Sequence, residues 1–135
     1  MLTDRRGGTM AEAAVSIPAL LLILVLALNA SQAGLAALAA RNAANYGARI
    51  ASVAGSNTRL YAEEAARVSY VQAGAPGNFD VEAQVLGEGR GSVVIVTVTW
   101  SVDTLLAGIC PAFGEGCPAA FSGRARAVWR REGLR

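Results

Sequence analysis

The first third of the chain is a long apolar run. Residues 13–40 contain no charged side chain, and residues 13–28 are almost wholly apolar. A helix over residues 13–30 would be about 27 Å long, close to the roughly 30 Å hydrocarbon core of a bilayer. Pro18 lies inside the run, where a membrane helix tolerates proline better than a helix in water does. The pattern predicts a membrane-spanning helix, and Arg5 and Arg6 favour a cytoplasmic N-terminus.

The helical pattern continues beyond this run. Apolar residues recur at three- and four-residue steps at Leu35, Ala39, Ala43, Tyr46, Ile50 and Val53, and a polar row lies beside them at Arg41, Asn45 and Arg49. This spacing predicts one continuous helix from about residue 9 to about residue 54, with an amphipathic outer half. Residues 55–57 end it, and a cap at residues 56–58 starts a second helix that reaches about residue 73. Leu60, Val68 and Val71 are the predicted apolar stripe of that helix.

The texture changes after a loop at residues 74–78. Residues 79–86 alternate loosely, residues 92–102 separate valines from hydroxyl residues, and residues 121–131 alternate alanine with arginine. Such period-two segments predict β-strands. The glycine-rich residues 87–91 join two of them with no helix to follow, so we predict a hairpin turn and not a phosphate-binding loop. Together the elements predict an α+β fold with a small antiparallel three-stranded sheet packed on a helix.

The composition limits the chemistry. The 135 residues suffice for one small domain with one appended element, and 53% are hydrophobic but only 6% aromatic. The chain has no histidine, which removes the usual general base, the commonest metal ligand and the Ser-His and Cys-His nucleophile pairs. A net charge of +2 gives no general reason to expect a nucleic acid partner. We therefore predict neither enzymatic activity nor a cofactor.

One carboxylate stands at the edge of the apolar run. Glu12 follows a short basic leader and the pair Gly7 and Gly8. Cleavage between the glycines would make Glu12 the fifth residue of the new chain and place it one helical turn from the new amino group. Two alternatives remain open. Glu12 is an interfacial acid beside cytoplasmic headgroups, or the apolar run is an ordinary secretory signal peptide that ends near residues 27–33.

These residues resemble TadE-like minor pilins, which are pseudopilins of tight-adherence (Flp) type IV pili. The resemblance rests on RGG at 6–8, AE at 11–12, PALLLILVLAL at 18–28, NAANYGAR at 42–49 and ARAVWRRE at 125–132. It covers the first 55 residues well and the remainder in general layout. It implies a pilin-like fold with a leader at residues 1–7, a transmembrane and stalk helix at 8–55 and an exported head at 56–135.

The resemblance also implies a function and a set of partners. A prepilin peptidase would cleave between Gly7 and Gly8, and Glu12 would neutralise the amino terminus of a neighbouring subunit during assembly of a Tad-type pilus. The other implied partners are the major pilin, other minor pilins and the inner-membrane pilus platform. The implied location is the bacterial inner membrane, crossed once, with the head outside the cytoplasm. The alternative function is a single-pass, membrane-anchored extracytoplasmic binding protein that does not polymerise.

Cys110 and Cys117 lie in a loop rich in glycine and proline. Two cysteines with six residues between them in an exported domain predict one local structural disulfide. A zinc site would need further cysteine or histidine ligands, which the chain lacks. Redox catalysis normally uses the shorter C-x-x-C spacing.

Two further features leave alternatives open. A row of small residues permits close helix–helix approach, either between filament subunits or within the chain's own domain. It comprises Gly34, Ala37, Ala40, Ala44, Gly47 and Ala48. The C-terminal arginines are expected on the solvated face of the last strand, with contact to acidic partners as the alternative. They are Arg124, Arg126, Arg130, Arg131 and Arg135.

Overall fold

Two helices and three strands follow one another in this computed structural model. It describes residues 6–55, 57–89, 91–108 and 119–131, with the backbone alone at residues 6–9 and 11. Helix α1 spans Arg6–Val53 and α2 spans Thr58–Gln72, and the strands are β1 at Asn78–Leu86, β2 at Val93–Asp103 and β3 at Ala120–Arg130. The predicted α+β layout of a long helix, a short helix and a three-stranded antiparallel sheet is confirmed.

Helix α1 is continuous over 48 residues and passes through Pro18 without a break. At 1.5 Å per residue it is about 70 Å long, more than twice the thickness of a bilayer's hydrocarbon core. Its second half therefore extends beyond any membrane that its first half spans. The helix begins at Arg6, slightly before the predicted start near residue 9, so Gly7 and Gly8 lie in its first turn.

A left-handed residue separates the two helices. Asn57 precedes α2 with a φ of 54°, a conformation that asparagine tolerates better than most residues. Its side chain makes no capping hydrogen bond, while its carbonyl accepts one from the Tyr61 amide at 3.1 Å. The cap thus falls where the sequence predicts it, but the backbone alone makes it.

The sheet is an antiparallel meander in the order β1-β2-β3. Val96 on the central strand lies opposite Ala83 of β1 and Ala127 of β3, and all three side chains are buried. The valines predicted for one face of β2 are buried at Val94, Val96, Val98 and Val102. The inner face of the sheet therefore consists of small and medium-sized side chains, and both helices pack against it.

Alanine builds most of the core between the helices. The buried residues of α1 are Ala36, Ala39, Ala40, Ala43, Ala44, Ala48 and Ala51. Helix α2 buries Ala62, Ala66 and Tyr70, and the Tyr70 ring stacks on Phe79 with 4.2 Å between the ring centroids. Since alanine removes little bulk from the interface, the two helices approach each other closely.

The apolar stripes predicted for the helices are wrong in their large members. Leu35, Tyr46, Val53, Leu60, Val68 and Val71 are exposed, although Ala39 and Ala43 are buried as predicted. The reason is steric: a Cβ built on Gly47 would lie 2.6 Å from the Ala62 carbonyl oxygen and 2.8 Å from the Ala66 Cβ. At such separations the helix that packs here has to turn its smallest residues inward.

The outer part of the small-residue row packs within the chain's own domain. Ala40, Ala44, Gly47 and Ala48 are all buried. Gly34, nearer the N-terminus, is exposed, and a Cβ built there would meet no atom within 4 Å. Of the two interpretations of this row, intramolecular packing therefore holds for residues 40–48.

Candidate functional site

The first half of α1 is an uncovered apolar surface. Its large side chains are exposed at Met10, Val15, Ile17, Leu20, Leu21, Leu22, Ile23, Leu24, Leu26 and Leu28. The segment Glu12–Val53 is long and apolar enough to cross a membrane, and only 6% of its most apolar window, with a mean hydropathy of 2.4, is buried. The core helix of a soluble domain would be mostly buried. The first half of α1 therefore has the properties of a membrane anchor.

The predicted processing and assembly residues all lie at the start of this helix. Gly7 and Gly8 are in the first turn of α1, and Glu12 is exposed one turn further on. Four residues correspond to a rise of roughly 6 Å, so Gly8 and Glu12 share one helical face. No other charged side chain follows on α1 until Arg41.

Asn29 connects the end of the apolar surface to the head. Its side chain is only 3% exposed, and its Oδ1 accepts a hydrogen bond from the Leu105 amide at 2.8 Å. Leu105 lies in the turn at residues 104–108 that follows β2. This contact joins residues 76 positions apart and fixes the base of the head at one level along α1. The signal for it in the sequence was a lone amide at the end of the apolar run.

The same turn begins the loop that carries the cysteines. Thr104 and Ala119 close its neck, because the Thr104 amide and hydroxyl both donate to the Ala119 carbonyl, at 3.0 and 3.2 Å. Cys110 and Cys117 lie outside the described residues, so their predicted disulfide stays a prediction.

Arg131 ties the other end of the head to α1. Its guanidinium donates to the Ala54 carbonyl at 3.0 Å and to the Gly55 carbonyl. A cation is favourable there because the last carbonyls of a helix lack intrahelical partners and carry partial negative charge. The prediction that the C-terminal arginines are solvated therefore fails for Arg131, whereas Arg124, Arg126 and Arg130 are exposed as predicted.

Glu63 links α2 to the edge of the sheet. Its carboxylate accepts hydrogen bonds from Arg59 at 2.9 Å and from the Ala83 amide of β1 at 3.3 Å. Partial burial raises the pKa of Glu63, but these hydrogen bonds and the charges on Arg59 and Arg67 outweigh that effect and leave the pKa below its usual value. The contact covers part of the β1 edge, which would otherwise offer an unpaired amide to another strand. The sequence had indicated only a solvated acid here.

The outer face of the sheet is divided by charge. Two cross-strand rows carry an acid on β1, a threonine on β2 and an arginine on β3: Asp80, Thr99 and Arg124 in one, and Glu82, Thr97 and Arg126 in the other. With about 4.8 Å between strands, acid and arginine stand roughly 10 Å apart, too far for a direct ion pair. Asp80 instead approaches Arg67 of α2 at 3.7 Å. The arginine row was expected from the sequence, but the facing acidic row was not.

No family model, curated protein or solved structure matches this chain. Within the described ranges, no three histidine, cysteine, aspartate or glutamate side chains come together as a group able to hold a metal ion. What can be argued about function therefore rests on the first turns of α1, its apolar surface and the two ties that join the helix to the head.

Proposed function

We propose that this chain is a TadE-like minor pilin of a tight-adherence type IV pilus, made as a precursor and cut between Gly7 and Gly8. The mature chain crosses the inner membrane once, with its head outside the cytoplasm, and joins or primes the pilus. Its partners are the prepilin peptidase, the major pilin, other minor pilins and the inner-membrane platform. The head has no catalytic part in this proposal.

The observation that carries the proposal is the position of Glu12. It is an exposed acid at the start of an apolar helix that has no other charge before Arg41. A charged side chain at bilayer depth costs roughly 2.5–3.5 kcal/mol on insertion scales, and less near the interface, so this position needs a reason. Cleavage supplies the reason, because the new amino group of Gly8 lies one turn away and is positively charged.

The uncovered leucines support the same proposal. A helix that leaves the membrane for a filament has to present an apolar surface that either lipid or another subunit can cover. The side chains between Met10 and Leu28 have this property, since they are exposed to the surroundings and turned away from the head. Their removal from water is favourable in both environments.

The two ties between helix and head also support a role as a subunit. Asn29 holds the base of the head to α1, and Arg131 holds its far end. Helix and head are thereby joined at both ends. In a polymer held together by the helices, the position of each head would follow from that of its helix.

Replacement of Glu12 tests the proposal directly. In Glu12→Gln the side chain keeps its shape and loses its charge, so we expect cleavage at Gly7–Gly8 to continue and pilus assembly to be lost. The matched control is Glu64→Gln, at an exposed acid on α2. Assays of processed protein in membranes and of sheared pili measure the two steps separately. Normal piliation by Glu12→Gln would contradict the proposed role.

A second outcome would favour the alternative function. If the precursor stays uncut in cells with an active prepilin peptidase, the single-pass anchored binding protein that does not polymerise becomes the better interpretation. The apolar surface of α1 and the tie at Asn29 fit that alternative equally well.

A further inference from the structure

We propose that the base of the head rests in the lipid–water interface on the exported side of the membrane, with the turn at residues 104–108 in contact with lipid. Leu105 and Leu106 are the side chains that face the acyl chains. This inference rests on the anchoring by α1 in the proposed function, and it adds a second, separate membrane contact made by the head.

The level of the turn along α1 carries the inference. The Asn29 Oδ1 accepts the Leu105 amide at 2.8 Å, so the turn is fixed beside residue 29 of the helix. Residue 29 lies about 26 Å beyond Glu12 at 1.5 Å per residue, while the hydrocarbon core is about 30 Å thick. With Glu12 at the cytoplasmic boundary, Leu105 therefore lies close to the opposite boundary.

The side chains of the turn suit that depth. Residues 104–108 read TLLAG and carry no charge. Leu105 is 56% exposed although it is a large apolar residue, and Leu106 is half-buried. Asp103 ends β2 just before the turn and is exposed on the outer face of the sheet, where headgroups and water solvate it.

The backbone of the turn suits it as well. Near lipid, each backbone N–H needs a partner within the protein, because no water replaces a missing one. The Thr104 amide donates to Ala119, the Leu105 amide to Asn29 and the Ala107 amide to the Thr104 carbonyl. This requirement gives a reason for burying an amide side chain at Asn29, in a helix whose preceding residues are apolar.

Photocross-linking tests the contact in the full chain reconstituted into phosphatidylcholine vesicles. A benzophenone amino acid is placed at Leu105, at Leu22 on the apolar surface of α1, or at Val128 on β3. Val128 is the matched control, because it is also 56% exposed but lies near the opposite end of the head. We expect lipid adducts at positions 22 and 105, with a several-fold lower yield at 128.

Each other outcome has a distinct meaning. Adducts at position 22 without adducts at 105 would overturn the head contact and leave the anchoring intact. The absence of adducts at position 22 would overturn the anchoring itself. Cross-links from position 105 to a second copy of the chain would assign the turn to a subunit interface and also overturn the lipid contact.

The tie at Asn29 provides a second test. In Asn29→Leu the turn loses the acceptor that fixes its depth, so the lipid adduct yield at position 105 should fall while that at position 22 stays unchanged. Asn42→Leu, at an exposed amide further along α1, is the control and should alter neither yield. An unchanged yield at 105 in Asn29→Leu would show that this hydrogen bond does not set the depth.

Discussion

The two halves of α1 solve opposite packing problems with the same kind of residue. From Met10 to Leu28 the helix exposes large apolar side chains, and from Ala36 to Ala51 it buries small ones. Both halves are apolar enough to satisfy a search for a hydrophobic helix. What separates them is side-chain size, because lipid adapts to bulky leucines whereas a fixed neighbouring helix accepts only alanine and glycine.

The comparison teaches that hydrophobicity predicts which residues avoid water but not what covers them. Leu35 and Leu38 are exposed on the second half of the helix, on the side away from the alanines. The head is thus fixed to α1 by the closest-packed contacts available, while the leucines stay free for another apolar environment. The variants below test this division, in order of decreasing effect on the stability of the head.

The largest effect is expected at Gly47. In Gly47→Ala the added Cβ would lie within 3 Å of Ala62 and Ala66, so we expect a loss of roughly 1–3 kcal/mol in the free energy of unfolding of the head. Gly34→Ala is the control, because open space surrounds that position and alanine favours a helix by up to about 1 kcal/mol. Denaturant unfolding in detergent micelles measures both. Equal effects of the two substitutions would mean that α1 and α2 are not closely packed.

A smaller loss is expected at Arg131. In Arg131→Gln the charged donor to the carbonyls of Ala54 and Gly55 is lost, which should lower the free energy of unfolding by about 1–2 kcal/mol. Its neighbour Arg130 is exposed on the outer face of the sheet, and Arg130→Gln should stay within about 0.5 kcal/mol of the unchanged protein. If the two variants melt at the same temperature, Arg131 does not hold the head to the end of α1.

Tyr70 should give a change of the opposite sign. Within the described part of the chain its buried hydroxyl has no hydrogen-bond partner, and burial raises the pKa of this tyrosine. Tyr70→Phe removes the unpartnered oxygen and keeps the ring on Phe79, so we expect a gain of about 1 kcal/mol in thermal unfolding. Tyr61→Phe, at an exposed tyrosine on the same helix, should be neutral. Destabilisation by Tyr70→Phe would indicate that the hydroxyl is satisfied.

The smallest effect concerns pH and Glu63. Because its pKa is lower in the folded protein than its usual 4.5, the unfolded chain takes up the proton first as pH falls. The contribution of Glu63 is therefore present above that value and is lost as pH falls through the lowered pKa. Glu63→Gln should remove this part of the acid sensitivity, a change below about 1 kcal/mol, whereas Glu64→Gln should not. Parallel stability–pH curves for Glu63→Gln and the unchanged protein would exclude the effect.

Much of the fold could be predicted because periodicity alone decides it. The continuous helix, the break near Asn57 and the order of the three strands all follow from local patterns of polar and apolar residues. The packing face of α2 could not be predicted in this way. Its stripe of Leu60, Val68 and Val71 is as periodic as the buried face, and only the close approach of α1 selects Ala62 and Ala66 instead.

The candidate site was predictable to the same limit. The place of Glu12 at the start of an apolar helix follows from the sequence. The roles of Asn29 and Arg131 depend on partners about 76 residues away in the chain, and no local pattern encodes such contacts. Their residue types gave only the weaker hint that each is a polar group next to apolar neighbours.

The mass of the N-terminal peptide, from protein isolated from membranes and from sheared pili, tests the central claim most directly. The proposed function predicts a chain that begins at Gly8 in cells with a prepilin peptidase and an uncut chain in cells that lack it. A pilus-associated chain that keeps Arg5, Arg6 and Gly7 at its N-terminus would contradict the account, because Glu12 would then have no new amino group to neutralise.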